Sequence, residues 1–165
     1  MKNILITGGA GYIGSNVAEL LIKNKYNIFI IDNLSTGFKK LINKKSKFLK
    51  IDLKEKNKVR NLINNYNIDS IIHLAALLDV NESQKKPKKY LQNNVIGTKN
   101  LVNACINSSV KNFIFSSTAA VYKDGNYKVN EQSPVKPKSN YGKGKLNAEK
   151  IIKSKFSNKK INFAI

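Results

Sequence analysis

The chain has no tryptophan, one cysteine, one histidine and three prolines, and Arg60 is its only arginine. One cysteine cannot close an internal disulfide, which fits a reducing, cytoplasmic setting rather than an oxidised secreted scaffold. Cys105 lies among Leu101, Val102 and Ala104 and reads as a small core residue. With no Cys or His partner, His73 gives a metal site no support and reads as a packed side chain ending a strand. No apolar run approaches the roughly 20 residues of a membrane span. The first apolar stretch begins at Asn3, which argues against a signal peptide.

Acidic residues are also scarce, ten against thirty basic ones, for a formal charge of +20. That balance invites a nucleic-acid reading. Yet arginine, the preferred reader of phosphates and bases, is nearly missing, and no lysine cluster is interleaved with stacking aromatics. Lysines are instead scattered over 39–40, 44–47, 85–89 and 153–160, alongside heavy use of asparagine and isoleucine. The pattern reads as biased residue usage. It excludes specific nucleic-acid recognition and leaves non-specific adhesion to polyanions at low salt.

What the chain does have is a glycine turn at its start and a Tyr-x-x-x-Lys pair near its end. The run Asn3–Thr7 reads as a strand buried on both faces. Gly8, Gly11 and Gly14 follow at three-residue spacing, ahead of a helical pattern through Val17, Leu20, Leu21 and Ile22. Glycines at such a turn let backbone approach a pyrophosphate and let helix pack on strand. The helix amino terminus adds free N–H groups and partial positive charge. A second strand, 27–31, leads to Asp32, placed to accept hydrogen bonds from an adenosine ribose and to repel a 2′-phosphate. That favours NAD over NADP.

Apolar runs recur at 48–51, 70–74, 112–116 and 161–165, separated by helical candidates at 54–65, 87–107 and 141–156. The alternation predicts an α/β fold: a Rossmann-like, doubly wound parallel sheet forming one cofactor domain over residues 1–165. Its ligand crevice is expected at the carboxyl ends of the strands. The loop 123–139, with Pro134 and Pro137, is expected to be mobile.

The stretches TGGAGYIGSN, IDNLSTG, IIHLAA with NESQKKP, NNVIGT, VKNFIFSSTAAVY and NYGKGKLNAEK resemble the extended short-chain dehydrogenase/reductase (NAD-dependent epimerase/dehydratase) family. The resemblance covers nearly the whole chain and is closest to the UDP-glucose 4-epimerase branch. It implies NAD as cofactor and a UDP-hexose as substrate, with UDP-glucose and UDP-galactose exchanged by C4 oxidation, rotation of the 4-keto sugar and hydride return. It implies a base at Tyr141, a cation at Lys145 and a hydroxyl at Thr118. Free tyrosine ionises near pH ~10, so a tyrosine base needs a neighbouring positive charge, and Lys145 lies four residues on along the same helical face.

The resemblance also assigns cofactor contacts. They are Gly8, Gly11, Tyr12, Ile13 and Gly14 at the turn, Asp32 and Asn33, Asp52 and Leu53, Ala75 and Ala76, Ser116, Tyr141 and Lys145. Asn94 is counted with these cofactor contacts and would also anchor the helix carrying Tyr141, and Ser117 would lie near the nicotinamide. Family dehydratases carry Asp-Glu after the active-site threonine, whereas Thr118 is followed by Ala119 and Ala120. A site without that extra acid suits reversible oxidation.

Some positions depart from the family pattern. Leu78 stands where bacterial epimerases often have lysine, Lys123 replaces a glycine, and Gly144 replaces a serine. Family members are about twice as long, and their remaining chain binds the UDP. The truncated edge is expected to leave Ile161, Phe163 and Ile165 partly uncovered. On this reading the chain alone binds NAD weakly or not at all and epimerises poorly, unless a complementing carboxyl-terminal chain or a homodimer completes it. An NAD-binding remnant without turnover, or another nucleotide-sugar enzyme of the family, stays open beside the epimerase.

Overall fold

A computed structural model describes residues 2–125 and 128–165. Six parallel strands form one sheet in the order β3-β2-β1-β4-β5-β6. They are β1 (Asn3–Thr7), β2 (Asn27–Asp32), β3 (Lys47–Lys50), β4 (Ser70–His73), β5 (Asn112–Phe115) and β6 (Asn162–Ala164). The chain winds outward from β1 to β3, crosses back, and winds the other way from β4 to β6. The crossover places a crevice above the carboxyl ends of β1 and β4, where a doubly wound sheet takes its ligand.

Alternate residues of each strand serve opposite faces. Ile4, Ile6, Ile28 and Ile30 face α1 (Tyr12–Lys23), meeting Val17, Ala18, Leu21 and Ile22. Leu5, Phe29, Ile31, Ile71, Phe113 and Phe115 face the other way. They pack on α2 (Lys56–Asn65), α5 (Gly97–Cys105) and α6 (Asn140–Phe156) through Val59, Ile63, Leu101, Val102, Ala148, Ile152 and Phe156. Each fully buried aliphatic side chain of this set contributes roughly 1.5–3 kcal/mol of transfer free energy. Cys105 is buried in that layer, and burial pushes its thiol pKa up.

Two helical features differ from the sequence expectation. A short helix α3 (Val80–Lys85) precedes the long one and was not signalled by apolar periodicity. The run expected over 87–107 is α4 (Pro87–Tyr90), a π-wound segment (Leu91–Ile96) and α5, joined without a break in helical backbone. The wider π turn carries an extra residue. Single turns of 3-10 helix at Lys39–Leu41 and Ala119–Val121 were also unanticipated.

At the far edge, Phe163 and Ile165 are exposed as expected, but Ile161 is buried in the main core, so that expectation is corrected. Ile161 precedes the strand and turns inward toward α6, whereas β6 itself pairs on one side only. The loop 123–139 is closed at its base by an antiparallel bridge between Tyr122 and Val135, and the Lys123 amide donates to the Pro134 carbonyl at 2.7 Å. Residues 126 and 127 of that loop lie outside the described residues. Among the described residues, no helix is long and apolar enough to cross a membrane, and no group of three or more His, Cys, Asp or Glu could hold a metal ion.

Candidate active site

The turn after β1 is shaped by contacts that exclude a side chain. Gly8 has φ +73°, and a Cβ there would lie 2.8 Å from the Ala75 backbone. Gly14, inside α1, would put a Cβ 2.3 Å from the Gly8 carbonyl oxygen. The helix can therefore start this close to the strand only if both positions lack side chains. Gly11 caps α1, whose first turn has neither an acidic residue nor a side-chain cap. Its amides are left for an anion, and the helix dipole adds to their pull.

The end of β2 forms the next wall. Asp32 accepts from the Ala10 amide at 3.1 Å and from the Leu34 amide at 2.8 Å, tying the second strand to the glycine turn. Asn33 donates to Asp52 at 3.0 Å, and Asp52 also accepts from the Lys54 amide at 2.8 Å. Burial by itself would raise the Asp52 carboxyl; the bonds from Asn33 and Lys54 and the Lys54 charge outweigh it and hold it below the usual range.

The third wall is the start of α6. Its first three amides are each met by a side chain: Asn140 by Gln84 at 2.9 Å, Tyr141 by Ser83 at 3.1 Å, and Gly142 by the N-cap Ser139 at 3.0 Å. Two of these acceptors come from α3, so the backbone of Tyr141 is pinned by a helix distant in sequence. The Tyr141 ring packs with Leu77 and Tyr90. Tyr90 in turn donates to Glu82 at 3.1 Å, and its pKa is pushed up to about 12 by burial and by that carboxylate. One turn on, the Lys145 ammonium donates to the Ser116 carbonyl and sits 4.2 Å from the centre of the Phe115 ring. Burial lowers it to about 8, although the Glu149 carboxylate pulls the other way.

These walls enclose one cleft of about 340 Å³. Gly8, Gly11, Tyr12, Ile13 and Gly14 line it at the glycine turn, and Asp32, Asn33, Asp52 and Leu53 at the ends of β2 and β3. Ala75, Ala76, Ser116, Tyr141 and Lys145 line the opposite end. The model of the NAD dependent epimerase/dehydratase family matches residues 4–165. The chain belongs to that family.

Known proteins agree. Bifunctional protein GAL10 of Kluyveromyces lactis is 39% identical over 177 residues, which cover 99% of this chain and 26% of that protein. The UDP-Glc/GlcNAc 4-epimerase of Campylobacter jejuni superposes with a TM-score of 0.94 at 38% identity, covering 99% of this chain and 52% of that one. UDP-glucose 4-epimerase of Brucella ovis, solved in complex with NAD, gives 0.93 at 34% identity, covering 99% and 50%. The chain thus spans about half the length of those two structures, and about a quarter of the yeast protein.

Two residues that the sequence reading placed in this epimerase/dehydratase site do not line the cleft. Thr118 caps the turn Ala119–Val121, its hydroxyl oxygen accepting from the Ala120 amide at 3.2 Å. Asn94 lies behind the wall, where its side chain accepts from the Leu77 amide and donates to the Leu77 carbonyl, both at 2.9 Å. Asn94 therefore anchors the loop after β4 rather than the Tyr141 helix. Its neighbour Asn93 lines the cleft instead and donates to the Asn94 side chain at 2.9 Å.

His73 is packed, as expected, and has a defined set of partners. Thr98 donates to the Asn94 carbonyl at 2.7 Å, so its oxygen accepts from His73 Nε2 at 2.8 Å. Nδ1 then accepts from Thr7 at 2.6 Å, whose oxygen receives the Ala75 amide at 3.2 Å. Burial, and then the Lys145 charge, lowers His73 to about 3, and the neutral ring ties β1, β4 and the π segment together under the cleft. Sequence reasoning missed Ser83, Gln84 and Glu149. Only Glu149 carried a signal: it lies four residues beyond Lys145 on the same helical face.

Proposed function

We propose that residues 1–165 are the NAD-binding domain of a UDP-hexose 4-epimerase that exchanges UDP-glucose and UDP-galactose in galactose metabolism in the cytoplasm. The observation that carries this reading is the placement of Tyr141 and Lys145 on the wall of the cleft that the glycine turn and Asp32 also line. The donor set fits NAD: uncapped amides at α1 for a pyrophosphate, a carboxylate after β2 for a ribose, and an apolar floor at Ala75 and Ala76. When bound, NAD would accept a hydride from C4 of the sugar and return it to the opposite face.

The chain's own residues handle the proton. Tyr141 takes the proton of the sugar 4-hydroxyl and later gives it back, with its ring held by Leu77 and Tyr90. The Lys145 cation favours loss of that proton from the tyrosine. Thr118, next to the cleft-lining Ser117, would orient the substrate through its hydroxyl group. The substrate is a UDP-hexose. A second reading is an NAD-binding module without turnover, in which the same cleft holds the cofactor alone.

The test is to incubate the chain with NAD and UDP-galactose and follow UDP-glucose by proton NMR. Conversion should fall by roughly 10²–10⁴ in Tyr141→Phe. Equal conversion by parent and variant would overturn the assignment of Tyr141, and a folded, NAD-binding parent without conversion would select the second reading.

A further inference from the structure

Glu149 lies one helical turn beyond Lys145 and two beyond Tyr141, on the buried side of α6, and is only 8% exposed. Its carboxylate accepts a short hydrogen bond from the Ser117 hydroxyl, and its other oxygen lies 3.8 Å from Lys153 at the surface. Ser116, the residue before Ser117, gives its carbonyl to Lys145. Two neighbouring turns of α6 therefore grip two consecutive residues at the exit of β5.

Burying a carboxylate is costly unless a charge or several donors compensate it. A serine hydroxyl alone asks for no anion, since any neutral acceptor would satisfy it. A nearby buried cation does. Among the described residues, the other groups around Lys145 bring no negative charge: β5 contributes the Phe115 ring, β4 contributes the neutral His73, and α6 contributes Tyr141 on one side and the surface Lys153 on the other.

We propose that Glu149 is a positioning residue of this site, clamping residues 116 and 117 onto α6 and supplying the counter-charge of the Lys145 ammonium. The proposal rests on the reading in which Lys145 serves Tyr141. Its test needs neither cofactor nor sugar, so the two can fail separately.

The ionisation of Lys145 is followed by carbon–proton NMR in the lysine-labelled chain, its signal identified by loss in Lys145→Met. The parent should titrate near pH 8. Glu149→Gln keeps an acceptor for Ser117 but removes the charge, and the midpoint should fall by about one pH unit. Glu149→Asp should recover most of that fall. An unchanged midpoint in Glu149→Gln would overturn the counter-charge role. Ser117→Ala decides the clamp, even if Glu149→Gln does not fold. The Ser116 amide, bonded to the His73 carbonyl at 3.2 Å, should exchange about tenfold faster in that variant. Unaltered exchange there would remove the clamp.

Discussion

Gly14 and Gly144 both stand inside helices, and their surroundings assign them opposite roles. A methyl at Gly14 would collide with the Gly8 carbonyl at 2.3 Å, whereas one at Gly144 would rest 3.7 Å from Val95, an ordinary contact. Gly144→Ala should stabilise the fold by about 0.5–1 kcal/mol, and Gly14→Ala should destabilise it by about 1–3 kcal/mol; urea titration reads both. Lys145 gives a pH prediction. It ionises near 8 when folded and near ~10.4 when unfolded. The unfolded chain thus holds the extra proton between those values, so this residue's contribution makes stability rise with pH across that window. At neutral pH the buried cation costs up to about 3 kcal/mol, and Lys145→Met should remove the rise. Denaturation of parent and variant at pH 7 and pH 10, compared by difference, isolates this from the other lysines. At this scale strand ends made Gly8, Gly14 and Asp32 legible and the family resemblance pointed to Tyr141 and Lys145; all five line one cleft. Thr118 and Asn94 do not line the cleft: a helix cap and bonds to the Leu77 backbone engage their side chains, and neither leaves a mark in composition.

Among the elements, α3 is the least visible in the sequence and the most consequential for Tyr141. Its six residues, VNESQK, are too few and too polar to show a period. Tertiary bonds hold it: Glu82 takes Lys86, Lys89 and Tyr90, while Ser83 and Gln84 cap α6. Ser83→Ala strands the buried Tyr141 amide and should cost about 1–3 kcal/mol, with that amide exchanging at least tenfold faster. Exchange at the parent rate would show that the packing of the Tyr141 ring suffices by itself. The strands were legible within a residue or two because runs such as NILIT and NIFIID are apolar on both faces. Helix ends were less so, since α2 begins two residues after the apolar pattern suggested.

For the molecule as a whole, the sheet order, the winding and the position of the crevice follow from strand–helix alternation, and they bring the glycine turn, Asp32 and Tyr141 into one cleft. The resemblance to the epimerase/dehydratase family and the structural superposition converge on the same half of a longer architecture. What the alternation could not supply was the polar scaffolding beneath the cleft. The chain of bonds from Ala75 through Thr7, His73 and Thr98 to Asn94 joins three distant stretches of sequence that no local pattern connects. The most direct test of the account is calorimetric titration of NAD into the folded chain and into Asp32→Ala. The account predicts saturable one-to-one binding, however modest, that weakens at least tenfold in the variant. Absence of binding to a folded parent, or equal binding by both chains, would contradict it.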